Sequence, residues 1–124
     1  MMPKNILIVD DSEMTRRLIS TAIRRLGDIE YEEAKDGLEA IQKLAIKAFD
    51  MLVVDINMPN INGLELIGYC KQSEQYHTIP IVIISTEDSH KDQEKGIALG
   101  ASDYLLKPIQ LDQLVDVIKK TLEI

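Results

Sequence analysis

The polar residues that could carry chemistry stand directly after short apolar runs of the chain. They are Asp10 and Asp11 after run 6–9, Asp55 after run 51–54, Ser85 and Thr86 after run 81–84, and Lys107 after run 104–106. Any one of these residues alone would be ordinary strand termination. If the runs form parallel strands, however, their carboxyl ends meet at one edge of the sheet, and these side chains are expected to lie together.

The carboxylates and the amine of this set predict a site that holds a cation and an anion. Asp10, Asp11 and Asp55 with Lys107 sum to a charge of −2, and crowded carboxylates repel one another unless one is protonated or a cation binds. Hard oxygen ligands without Cys or His favour Mg²⁺ or Mn²⁺ over zinc. Lys107 and the Ser85 hydroxyl would then face an anion that shares the metal, and a phosphoryl group is the simplest candidate.

The elements that must position these residues follow from hydrophobic periodicity. The four apolar runs are continuous and rich in β-branched residues, which is typical of parallel strands buried on both faces. Segment 29–33 alternates apolar with charged residues and suits an edge strand. Helical spacing occurs in between, at Met14, Leu18, Ile19, Ala22, Ile23 and Leu26; at Leu38, Ile41, Leu44 and Ala45; at Leu66, Ile67 and Cys70; over 88–99; and at Leu111, Leu114, Ile118 and Leu122.

Helix boundaries are marked by capping residues. Asp36 with Glu39, and Asn62 with Glu65, have the spacing of a capping box, and Gly27 suits the position just after a helix. The resulting order βαβαβαβαβα predicts an α/β fold, a doubly wound parallel sheet between helical layers. In open sheets of this kind, ligands bind at the carboxyl ends of the strands.

Length, composition and charge exclude several classes of protein. A chain of 124 residues with 45% apolar residues suits one domain spanning 1–124. Its net charge of −7 opposes direct binding to nucleic acid or an anionic membrane. A single cysteine, Cys70, excludes a disulfide framework. Without a signal peptide or an apolar run of ~20 residues, a soluble cytoplasmic protein is expected.

A family resemblance enters on the order and spacing of the site residues. Asp10-Asp11, Asp55 with Met58-Pro59 and Gly63, Ser85, Tyr104 and Lys107-Pro108 together resemble the receiver domain of two-component response regulators, of the single-domain chemotaxis kind. The similarity runs from Lys4 to Leu122. It implies a flavodoxin-like (βα)5 fold with strand order 2-1-3-4-5, and a signalling protein rather than an enzyme.

The resemblance also implies a role for each matching residue. Asp55 would be the phosphoryl acceptor, Lys107 would pair with the phosphoryl oxygens, and Ser85 with Tyr104 would form the switch. Asp11 would bind Mg²⁺ directly, Asp10 largely through water, and Asn57 through its backbone carbonyl. Asn57 and Glu87 would tune the lifetime of the phosphoryl group, and the Lys107–Pro108 peptide would be cis.

The expected partners are likewise those of the family. The phosphoryl donor would be a sensor histidine kinase or a histidine phosphotransfer protein, and Arg16 and Arg17 could help to dock it. The reading surface for a downstream output protein would be region 88–123, the fourth helix, fifth strand and fifth helix. The chain is either complete and read by a separate protein, or a receiver excised from a larger regulator.

Three other functions compete with this interpretation. A Mg²⁺-dependent phosphohydrolase with an Asp nucleophile would need a second Asp two residues after it as acid and base, where this chain has Asn57. A flavodoxin-like cofactor module would need a phosphate loop where the acidic pair stands. A receiver-shaped scaffold that is never phosphorylated would not need the full set of site residues. Cys70 is interpreted as a core residue, and His77 and His90 as surface residues.

Overall fold

The computed structural model describes residues 3–86, 88 and 90–124, and in this part of the chain five strands alternate with five helices. Their bounds are β1 Lys4–Val9, α1 Glu13–Arg25, β2 Ile29–Ala34, α2 Gly37–Ile46, β3 Met51–Asp55, α3 Gly63–Lys71, β4 Ile81–Ser85, α4 His90–Leu99, β5 Asp103–Leu106 and α5 Leu111–Leu122. Among the described helices, none is both long enough and apolar enough to cross a membrane.

The strands form one parallel sheet in the order β2-β1-β3-β4-β5, which confirms the predicted fold and strand order. β2 lies at one edge, as its alternating sequence predicts. The chain turns outward from β1 to β2 and then returns to the other side of β1 with β3. The carboxyl ends of β1 and β3 therefore flank the topological switch point, where open α/β sheets bind ligands.

Two hydrophobic layers cover the sheet, because successive side chains of each strand point to opposite faces. Leu7, Val9, Leu52 and Val54 pack with residues of α2 and α3 on one face. Ile6, Ile8, Met51 and Val53 pack with residues of α1 and α5 on the other. All five residues of β3 and of β4 are buried, so the two strands that present Asp55 and Ser85 are held rigidly.

Five apolar side chains predicted to be buried are exposed. Leu38 is 48% exposed, Ala45 is exposed, and α2 buries Ala40 and Leu44 instead. Met14 is 82% exposed because it lies in the first turn of α1. Run 104–106 is not buried on both faces, since β5 is an outer strand and only Leu105 is buried.

The predicted caps are present with one difference. Asn62 and Glu65 form the complete capping box of α3, and Gly27 has the positive φ of a residue just after a helix, 91°. The Asp36 carboxylate accepts from the Glu39 N–H, at 2.8 Å, as predicted. The Glu39 side chain, however, accepts from the N–H of Lys35, at 3.2 Å, so this box is open on its second side.

Gly63, at the start of α3, has no room for a side chain. A Cβ added there would lie 2.5 Å from the carbonyl oxygen of Asp55 and 2.7 Å from the Cα of Ile56, both backbone atoms that cannot move aside cheaply. Gly63→Ala should therefore lower the free energy of unfolding by about 2 kcal/mol or more. Gly68, inside the same helix, has no atom within 4 Å of an added Cβ, so Gly68→Ala should raise stability by about 0.5–1 kcal/mol. Urea unfolding of both variants checks the pair, and equal effects would contradict this account of the turn.

Candidate functional site

Four strand ends bring the predicted site residues to one edge of the sheet. Asp10 follows β1, Asp55 is the last residue of β3, Ser85 is the last residue of β4, and Lys107 follows β5. The Nζ of Lys107 lies 3.4 Å from Oδ1 of Asp55 and 3.6 Å from Oδ2 of Asp10. The Lys107 ammonium therefore bridges the two carboxylates that are deepest in the site.

Three carboxylates converge beside this lysine. Asp10 is 0% exposed and Asp55 is 3% exposed, whereas Asp11 lies at the exposed mouth of the site. One carboxylate oxygen from each of the three residues lies within 4.8 Å of the others. An all-oxygen set at this spacing is suited to Mg²⁺ or Mn²⁺.

Two buried oxygen atoms in the site have no hydrogen-bond partner: Oδ2 of Asp10 and Oγ of Ser85. The other carboxylate oxygen of Asp10 accepts from the N–H of Ser12, at 2.8 Å. Buried polar atoms are normally hydrogen-bonded, so a carboxylate oxygen that accepts no hydrogen bond and faces two other carboxylates fits a metal ligand. The unpaired Ser85 hydroxyl can donate to an anion in the same space.

Burial and mutual repulsion raise the pKa of both buried carboxyl groups. Burial is the larger cause for Asp55, followed by the negative charge of Asp10, while Lys107 and the N–H of Asn57 oppose the rise; the pKa of Asp55 is about 6. Burial also raises the pKa of Asp10 above 3.8, against the N–H of Ser12 and the charge of Lys107. At neutral pH, Asp55 is therefore ionised, but at a cost to stability.

Asp55→Asn should stabilise the metal-free protein at neutral pH but not in acid. A carboxyl group whose pKa is raised on folding favours the fold while protonated: this contribution is complete below about pH 4 and is lost as pH rises through about 6. Each pKa unit corresponds to about 1.4 kcal/mol, so the variant should gain about 2–3 kcal/mol at pH 7.5. The gain should shrink towards zero at pH 4. Urea unfolding in EDTA at both pH values measures it, and an equal gain at both would contradict the charge argument.

The segment after β5 fixes Lys107 against β4. Its backbone N–H donates to the carbonyl of Ser85, at 2.7 Å. The Lys107–Pro108 peptide is cis, as the resemblance implies. The end of β5 and the end of β4 are thus tied together by the same two residues whose side chains face the acidic cluster.

The remaining predicted residues fall into separate groups. Asn57 follows β3 in the loop beside the cluster, and its side chain is exposed. Tyr104 is 42% exposed and lines a groove with residues of α4, so it is not a core aromatic. Cys70 is buried in the core, and His77 and His90 are exposed, all as predicted. Glu87 lies outside the described residues.

The suggested docking role of Arg16 does not fit its contacts. Its Nη1 donates to the backbone carbonyl of Asp10, at 2.7 Å, and its Nε pairs with Glu33, at 3.0 Å. The Arg16 side chain is only 17% exposed, so it braces the acidic turn from below. Arg17 is exposed and pairs with Glu13 on the same helix.

Two residues beside the site were not predicted from the sequence to belong to it. Asp36 was recognised only as a helix cap, and Asn60 was not singled out. Asn60 has a positive φ of 62°, and its side chain donates to Asp36, at 2.8 Å. Two turn-forming dipeptides, Asp36-Gly37 and Pro59-Asn60, could have indicated them. Each dipeptide precedes a predicted helix that flanks β3.

Comparison with known proteins identifies the family. Residues 6–119 match the family model of the response regulator receiver domain. The chemotaxis protein CheY1 of Helicobacter pylori is 35% identical over 120 residues, covering 96% of this chain and 94% of CheY1. A crystal structure of the chemotaxis protein CheY4 of Vibrio cholerae is similar with a TM-score of 0.88 and 33% identity, covering 97% of this chain and 99% of that one.

Longer regulators contain the same unit. The response regulator ArlR of Staphylococcus saprophyticus is 35% identical over 120 residues, which cover 94% of this chain but only 51% of ArlR. This chain thus spans about half the length of that relative. Receiver domains are signalling switches that bind Mg²⁺ at an acidic pocket and interact with sensor kinases and downstream targets. On its strand order, its matched residues and its CheY relatives, the chain belongs to the receiver domain family of two-component response regulators.

Proposed function

We propose that this protein is a phosphoacceptor switch, which takes a phosphoryl group onto Asp55 from a phosphohistidine on a sensor histidine kinase or a histidine phosphotransfer protein. The observation that carries the proposal is the surroundings of Asp55. Its carboxylate is buried, lies 3.4 Å from the Lys107 ammonium, and converges with Asp10 and Asp11. Such a site combines a nucleophile with the charges that an incoming phosphoryl group needs.

The proposed reaction places most of the work on positioning and charge. An oxygen of the Asp55 carboxylate attacks phosphorus, the P–N bond to the donor imidazole breaks, and its electron pair returns to the imidazole nitrogen. The product is an acyl phosphate on Asp55. Because its pKa is about 6, the Asp55 carboxyl group is mostly in its ionised, nucleophilic form at neutral pH.

Asp10, Asp11 and Asp55 would hold the divalent cation, together with the backbone carbonyl of Asn57. Mg²⁺ is the expected ion, and Mn²⁺ satisfies the same oxygen ligands. When bound, it supplies positive charge to the carboxylates and to the phosphoryl oxygens. Oδ2 of Asp10, which is buried and accepts no hydrogen bond, supports this assignment.

The switch would use Lys107 and Ser85. Lys107 already pairs with Asp10 and Asp55, so phosphorylation does not create its ion pair but redirects it towards the more negative group. The Ser85 hydroxyl, which has no partner in the site, would donate to a phosphoryl oxygen. Movement of the two linked strand ends would change the exposed surface at Tyr104, and with it the binding of an output protein to α4, β5 and α5.

Incubation with acetyl phosphate and Mg²⁺ tests the function directly. Intact-mass analysis should show the mass of one added phosphoryl group, and none when EDTA replaces Mg²⁺. A wild-type protein that keeps its unmodified mass with Mg²⁺ and fresh donor would contradict the proposal. We further propose that one domain spanning 1–124 carries this function in the cytoplasm.

A further inference from the structure

We propose that Asp36 and Asn60 are positioning residues for the acceptor site, because their side chains clamp the loop that leaves Asp55. This inference rests on the proposed function and extends it to residues outside the acidic cluster. The loop spans 56–62, between the end of β3 and the start of α3. The clamp joins the loop to the N-terminus of α2.

The contacts of the clamp use both oxygens of one buried carboxylate. Oδ2 of Asp36 accepts from Nδ2 of Asn60, at 2.8 Å, and Oδ1 accepts from the N–H of Glu39, at 2.8 Å. Next to it, the N–H of Gly37 donates to the carbonyl of Ile61, at 3.0 Å. Asp36 is 6% exposed, and its two hydrogen bonds lower its pKa. A charged, buried acceptor therefore holds the loop on one side.

Asn60 has an unfavourable backbone conformation that its side-chain hydrogen bond stabilises. Its φ of 62° lies in the left-handed region, which is unfavourable for residues other than glycine. Asn tolerates this region better than most residues, and here its amide reaches across to another element. The hydrogen bond to Asp36 thus stabilises the turn in a conformation that the backbone alone would not favour.

The clamp reaches the site through the loop backbone. The loop begins where the N–H of Ile56 donates to the carbonyl of Ile84, at 3.2 Å, and the N–H of Gly63 returns to the carbonyl of Ile56, at 2.9 Å. Between these anchors, the N–H of Asn57 faces the Asp55 carboxylate and lowers its pKa. Asn57 stands three residues from Asn60, so release of Asn60 lets this N–H and the adjacent carbonyl shift relative to Asp55.

Exchange of the two side chains separates this role from a purely structural one. In Asp36→Asn, the amide can cap α2 through its oxygen and presents an N–H to position 60, so the Asn60 amide has to flip to accept it, and a neutral hydrogen bond replaces the charged one. In Asn60→Asp, two carboxylates face each other. In the double variant, the amide at position 36 donates to the carboxylate at position 60 and still caps α2, with the net charge of the wild type.

Mg²⁺ affinity and the rate of labelling by acetyl phosphate are measured for the wild type and the three variants. Each single variant should lose about tenfold in Mg²⁺ affinity and in rate, the expected effect of losing a hydrogen bond to a charged group. The double variant should return to within about threefold of the wild type. Circular dichroism checks that every variant is folded. A fourth variant, Asn60→Gly, removes the amide without backbone strain and should lose as much Mg²⁺ affinity and labelling rate as either single variant.

The outcomes distinguish the two proposals. Wild-type affinity and rate in the single variants, or changes in melting temperature alone, would overturn the clamp, as would additive losses in the double variant. A wild-type protein that binds Mg²⁺ but takes no label would overturn the proposed function, while the Mg²⁺ affinities would still decide the role of the clamp.

Discussion

Asp55→Asn is expected to abolish phosphoryl incorporation from acetyl phosphate. Asn has the shape of Asp, but its amide oxygen is not a nucleophilic carboxylate, so no acyl phosphate can form. The substitution should also leave a well-folded protein, because it removes a buried charge whose pKa is raised by its surroundings. Intact-mass analysis with Mg²⁺ should therefore show one phosphoryl group on the wild type and none on the variant, a decrease of at least about a hundredfold in initial rate.

The same strand supplies a matched control. Asp50 stands just before the amino-terminal end of β3, far along the strand from Asp55, and its Oδ2 accepts from the N–H of Asn5, at 2.8 Å. Asp50→Asn makes the same chemical change and keeps an acceptor oxygen, so it should be labelled as the wild type is. Labelling of Asp55→Asn at the wild-type rate would show that another residue accepts the phosphoryl group.

The fold could be predicted from the sequence largely because its central strands are continuous apolar runs. A strand such as β3, buried on both faces, is recognisable from its sequence as an interior strand of a parallel sheet. The strand order came from the resemblance, since periodicity does not say which strands are neighbours. Burial in the first turn of a helix and on an outer strand was harder to predict. Met14 has helical spacing to Leu18, and Tyr104 precedes two leucines, but no layer packs fully over Met14 or Tyr104 in the structure.

The composition of the acidic site was predictable because parallel strands end at one edge, so that adjacency in space follows from adjacency to a strand end. What the sequence could not provide was the contacts made from the flanking elements. Arg16 reads as one charge in a basic helix, yet it donates to the backbone of Asp10. Asp36 and Asn60 are 24 residues apart, and no local pattern records a hydrogen bond between two loops.

Mg²⁺ is expected to raise the melting temperature of the wild type, and Asp11→Ala should remove most of this response. The acidic cluster is strained while its charges repel, and an ion that binds only the native state adds about 2.7 kcal/mol at a hundredfold excess over Kd. For a domain of this size, that corresponds to about 10 °C. Asp11 is the exposed carboxylate of the cluster, so its loss removes a ligand without opening a cavity in the core. Thermal unfolding with EDTA and with increasing Mg²⁺ measures both responses.

A second aspartate separates ligation from a general effect of charge. Asp116 is exposed on α5, so Asp116→Ala changes the net charge as Asp11→Ala does but leaves the strand ends intact. It should keep the full response to Mg²⁺. If both variants lose the response equally, the ion acts through the net charge of −7. If Asp11→Ala keeps the whole response, the ion binds away from the carboxyl ends of β1 and β3. Loss in Asp11→Ala alone is the result expected if these three carboxylates bind the metal.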